Sequence, residues 1–118
     1  MNDSPAALRQ RLIGGRNALA QQFAAGLPAR RLLRATTRLI DETLIEAWRS
    51  AQIREHAALV AVGGYGRREL FPHSDIDLLI LLPEQAGEAT LSAVESLVTQ
   101  FWDIGLEVGH SVRSVAEC

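Results

Sequence analysis

Residues Leu59-Val-Ala-Val-Gly63-Gly64-Tyr65-Gly66-Arg67-Arg68-Glu69-Leu70-Phe71-Pro72-His73-Ser74-Asp75-Ile76-Asp77-Leu78-Leu79-Ile80-Leu81-Leu82 read as an apolar strand, a glycine-rich loop and a second apolar strand. The second strand opens with two carboxylates. Side chains alternate faces along a strand, so Asp75 and Asp77 share one face and Ile76 takes the other. Two such anions about 5 Å apart repel by roughly 3 kcal/mol at an effective dielectric near 20. A positive group between them removes that cost, and a hard divalent cation such as Mg²⁺ suits oxygen ligands best.

Working outward, each flank supplies helices. Ser4-Pro5 is an N-cap followed by proline at the first helical position, which predicts a helix over residues 5–25 with Leu8, Leu12, Leu19 and Phe23 at helical spacing. Gly14-Gly15 weakens its middle, and Gly26 and Pro28 end it. Residues 29–54 carry a longer apolar stripe that includes Leu32, Thr36, Leu39, Ile40, Leu44, Ala47 and Trp48. The arginines at 30, 31, 34 and 38 read as a solvated helix face. Beyond the second strand, Pro83 to Gly87 form a turn. Residues 88–103 repeat Leu91, Val94, Leu97, Val98 and Phe101 with Trp102 at helical spacing, and Gly105 stops them. Leu106 to Val112 reads as a third strand with Glu107 between two apolar residues. Trp48 and Trp102 are expected in the core.

The loop between the first two strands is too short for a helical crossover, so those strands are expected to be antiparallel neighbours. The fold class expected is α/β (α+β), with a small mixed sheet, helices on one face and two N-terminal helices in front. The division expected is an N-terminal helical segment, 1–57, and a core, 58–118, cut from a longer chain.

Composition narrows the chemistry. The chain has 118 residues, 47% hydrophobic and 22% charged, as befits a globular domain. No apolar run approaches the roughly 20 residues that span a bilayer, and the N-terminus has no signal pattern, so a cytoplasmic protein without a membrane partner is expected. The single cysteine, Cys118, suits a reducing compartment. All twelve basic residues are arginine, which excludes phosphate-loop and Schiff-base lysines. Residues 1–58 hold nine arginines against five acids, and residues 59–118 three against nine. The glycine loop lies in the acidic half, where a metal-dependent site fits better than a nucleic-acid groove. His56, His73, His110 and Cys118 lack zinc-ligand spacing.

Gly63-Gly64-x-Gly66 matches neither the dinucleotide nor the phosphate-loop pattern. Such glycines let a triphosphate approach the backbone closely. Arg67 adds charge suited to phosphate, or pairs with a nearby acid. Ser74 serves either phosphate or the turn before the strand.

Taken together, a strand ending in Gly-Gly, a polar loop, Ser-Asp-hydrophobic-Asp-hydrophobic and a later Glu107 resemble the DNA polymerase beta-like nucleotidyltransferase superfamily. GGYGRREL-x-P-x-SDIDLLIL with LEVGHSVR is most similar to the N-terminal domain of the bifunctional uridylyltransferase/uridylyl-removing enzyme family, which modifies the nitrogen-regulatory PII protein. The resemblance implies a polymerase beta-like palm with Gly63 and Gly64 as the nucleotide-binding pair. It also implies Asp75 and Asp77 as metal ligands and Glu107 as the third carboxylate. Arg68 stands where many members have glycine. The implied reaction is two-Mg²⁺ transfer of UMP from UTP to a PII tyrosine with loss of pyrophosphate. Glu107 then completes the metal shell or takes the hydroxyl proton. Two other readings suit the same residues: adenylyl transfer to another protein or small molecule, and a non-catalytic nucleotide-sensing module.

Overall fold

The computed structural model describes residues 4–53, 57–62 and 76–114. Helix α1 spans Pro5–Ala24, and the Ser4 hydroxyl accepts the Ala7 amide at 3.1 Å as its N-cap. Helix α2 spans Ala29–Ala51. Strand β1, Ala58–Val62, is followed by β2, Ile76–Leu82, then helix α3, Glu88–Ile104, and strand β3, Val108–Ser114. The sheet order is β1-β2-β3. β1 runs antiparallel to β2, with Val62 opposite Asp77, and β3 runs parallel to β2, with Ile76 opposite Val108. The parallel pair needs a long connection, and α3 supplies it. The sheet is therefore mixed and small, as the loop lengths imply.

One strand organises the rest. Ile76, Leu78, Ile80 and Leu82 are buried, while the alternate residues of β2 are exposed or half-buried. The period of two thus directs one face at the helices. Against it lie Leu97, Phe101 and Ile104 of α3 and Ile40, Leu44 and Ala47 of α2. Leu8 and Leu12 of α1 join the same buried cluster. Thr37 and Thr43 on the inner side of α2 stay satisfied because their hydroxyls donate to the Leu33 and Leu39 carbonyls, at 2.9 and 2.8 Å. Gly15 sits where a Cβ would come within 2.8 Å of the Leu39 side chain. The mid-helix glycine is thus a close approach of α1 to α2, which offsets its poor helix propensity.

Three details depart from the sequence expectation. Trp102 is 55% exposed and not in the core. The buried stripe of α3 runs through Val94, Leu97, Phe101 and Ile104, and residue 102 lies about 100° around the helix from residue 101. Phe23 is 50% exposed, because the buried residues of α1 are in its first half. β3 begins at Val108, two residues later than read from the pattern, because the Leu106 amide donates to the Phe101 carbonyl at 2.9 Å and finishes α3 instead.

Phe101 is fully buried. Phe101→Ala is expected to cost about 3–5 kcal/mol, read as a lowered urea midpoint with unchanged slope.

Candidate active site

The sheet face turned away from the helices carries the candidate acids. Asp77 is the second residue of β2 and is exposed, as is Glu107. The Ile76 amide donates to the Glu107 carbonyl at 2.9 Å, one step ahead of the Ile76–Val108 pair. Buried Ile76 and Val108 point at the helices, so Asp77 and Glu107, which flank that pair, share the opposite face. Asp75, Gly63, Gly64, Arg67 and Ser74 lie outside the described residues.

Gly109 is the partner of Asp77 on β3. A Cβ built on Gly109 would lie 3.1 Å from the Asp77 Oδ1, so the carboxylate leans across the space that a side chain would fill. Strand pattern alone did not reveal this contact, which depends on the register between β2 and β3. Further along the same face come half-buried Leu79 and Leu81, opposite Val60 and Ala58 of β1, while Val62 lies opposite Asp77.

A second charge reaches this end of the sheet from α1. The Arg16 Nη1 donates to the Gly105 carbonyl at 3.1 Å, in the turn that leads to Glu107. Burial pulls the Arg16 guanidinium below its ordinary range, and the negative charge of Glu107 opposes that shift. Arg9 makes a parallel contact, its Nη1 donating to the Asp103 carbonyl at 3.1 Å. Both cations sit at the C-terminal end of α3, where the helix dipole favours positive charge. Spacing on α1 gave no sign of either role.

The carboxylates of Asp77, on β2, and Glu107, just before β3, are hard oxygen donors exposed to solvent, which fits Mg²⁺. Among the described residues no group of three or more His, Cys, Asp or Glu is gathered as a metal site. A cavity of about 310 Å³ is lined by Leu44, Ile45, Trp48, Leu59 and Leu78. It lies on the helix-facing side of the sheet, away from Asp77, so its walls do not belong to the acidic site. No described helix is long and apolar enough to cross a membrane.

The nucleotidyltransferase domain family matches residues 42–110, a segment that contains both acids. Across 118 residues the chain is 44% identical to a bifunctional uridylyltransferase/uridylyl-removing enzyme of Nitrosospira multiformis, covering 95% of this chain and 13% of the relative. It is 49% identical over 115 residues to the enzyme of that name from Stutzerimonas stutzeri, covering 96% of this chain and 13% of the relative. For Methylococcus capsulatus the identity is 48% over 118 residues, 98% of this chain and 14% of the relative. The chain thus spans about an eighth of the length of these relatives. No solved structure matches it.

If Asp77 holds Mg²⁺ for a nucleotide, Gly109→Ala is expected to weaken that binding about tenfold, with no further loss in an Asp77→Ala background. Calorimetric titration of the two single variants and the double variant reads this.

Proposed function

Because the chain belongs to the nucleotidyltransferase domain family, we propose that it performs the UMP-transfer step of a cytoplasmic uridylyltransferase. The donor is UTP and the acceptor is a tyrosine hydroxyl of the PII signalling protein. Residues 58–118 form the catalytic core and residues 1–57 a helical segment attached to it.

The supporting observation is the placement of Asp77. It is an exposed carboxylate at the head of the central strand, beside a glycine that leaves it room and with Glu107 on the same face. In this reading Asp75, Asp77 and Glu107 hold two Mg²⁺ ions, which supply charge neutralisation at the triphosphate. Gly63, Gly64, Arg67 and Ser74 bind the nucleotide through backbone N–H groups, a guanidinium and a hydroxyl. The tyrosine oxygen forms a bond to the α-phosphorus, the bond from that phosphorus to the bridging oxygen breaks, and pyrophosphate leaves. The phenolic proton passes to a carboxylate oxygen, for which Glu107 is the candidate acceptor. The names of the relatives support uridylyl as the group transferred. Their uridylyl-removing activity is a property of the longer proteins.

The test incubates the intact protein with purified PII, Mg²⁺ and either labelled UTP or labelled ATP. Label from UTP is expected on a PII tyrosine, and Asp77→Asn is expected to lower the rate at least a hundredfold, by about the cost of losing a metal ligand. Label from ATP alone would replace this reading with adenylyl transfer. Nucleotide binding without transfer, indifferent to Asp77→Asn, would replace it with a sensing module.

A further inference from the structure

The segment matched by the nucleotidyltransferase family begins at residue 42, yet a contact from well before it fixes the turn that carries Glu107. Leu8 and Leu12 seat α1 in the core beside Phe101 and Ile104. Arg9 and Arg16, seven residues apart and so on one helix face, both reach the end of α3. Arg9 stops at the Asp103 carbonyl. Arg16 goes two residues further, to Gly105.

Gly105 has φ +106°, and its amide donates back to the Trp102 carbonyl at 3.0 Å while Leu106 donates to Phe101. Those two bonds hold the amide side of the turn. Its carbonyl side is held by Arg16 at Gly105 and by the Ile76 amide at Glu107. The backbone from 105 to 107 is therefore fixed at both ends, and Glu107 projects from its last residue. The Arg16 Nε is buried with no hydrogen-bond partner among the described residues. Leaving a guanidinium donor unsatisfied is costly, and the cost is borne where the cation lies within the field of Glu107.

We propose that Arg16 is a positioning residue for Glu107: anchored on the Gly105 carbonyl, its guanidinium sets the turn that delivers this carboxylate beside Asp77. The role rests on reading Glu107 as part of the transfer site. Arg16 acts through the geometry of one turn, and so binds α1 into the function of a site outside it.

The test uses the intact protein with the single variants Arg16→Met, which keeps the apolar stem, Arg16→Lys, Arg9→Ala, Glu107→Gln and Asp77→Asn, and with the double variant that joins Arg16→Met to Glu107→Gln. Arg16→Met is expected to lower kcat for UMP transfer about tenfold while KM for UTP stays within about twofold, because misplacement of a reacting group falls on the chemical step. Arg16→Lys, with a donor and a charge, retains more of kcat than Arg16→Met. In a Glu107→Gln background Arg16→Met causes no further fall. Independently of turnover, hydrogen exchange at the Ile76 amide is faster in Arg16→Met than in the parent. Arg9→Ala lowers the melting temperature but leaves kcat unchanged.

Additive losses for Arg16→Met and Glu107→Gln, or an equal kcat loss in Arg9→Ala, would overturn the proposal and reduce Arg16 to a general fastening of α1. Full transfer by Asp77→Asn would instead sink the reading of the site on which the proposal rests. The two failures are distinguishable in one set of assays.

Discussion

The hydrogen bond from the Ile76 amide to the Glu107 carbonyl, 2.9 Å long, opens the parallel ladder and sets its register. Everything on either side of the sheet follows from that register. Ile76 and Val108 enter the core together at 1% and 4% exposure, and Asp77 and Gly109 come out together on the other face. A slip of one residue would reverse this, putting the Asp77 carboxylate among leucines and Ile76 in water. Burying an unpaired carboxylate costs several kcal/mol, so the hydrophobic pattern and the acid pattern enforce the same alignment. The residues that would do chemistry and the residues that hold the fold are alternate positions of one strand.

The two halves of the chain, opposite in charge, meet in the structure. The arginine-rich first half sends Arg9 and Arg16 to the C-terminal end of α3, in the acid-rich second half. These contacts place cations at the negative end of a helix dipole, and burial of Leu8 and Leu12 holds the helix that brings them. By contrast, the Arg49–Glu46 pair on α2 spans 3.7 Å with the Arg49 side chain 70% exposed, and such pairs contribute little. An arginine bound to the end of a packed helix contributes position, which a surface ion pair does not.

Much of this was legible in the sequence, for reasons that differ by element. β2 is legible because Ile76 and the apolar run Leu78 to Leu82 stop at Pro83, which cannot continue the ladder. The helices were read within one to three residues because caps and glycines mark their ends. The face shared by Asp77 and Glu107 follows from alternation, provided the strands pair as they do. What could not be read was anything needing two distant stretches at once. The start of β3 depended on whether Leu106 completes α3 or begins the strand. The Asp77–Gly109 approach required the register, and the reach of Arg16 to Gly105 joins residues 89 positions apart. Trp102 misled because its side chain is apolar, yet its angle on α3 is outside the buried stripe.

The distance in sequence between α1 and its seat also has a consequence for how the protein is made. Arg9 and Arg16 find their acceptors 94 and 89 residues later. At roughly 5–20 residues per second of synthesis, α1 leaves the ribosome some 5–20 s before α3 and β3 exist. During that interval Leu8 and Leu12 have only α2 to lie against, and a lone helical hairpin is a poor shelter for them. α1 is thus translated well before it can lock, and nascent chains pass through a stage in which this helix is open to chaperones and proteases.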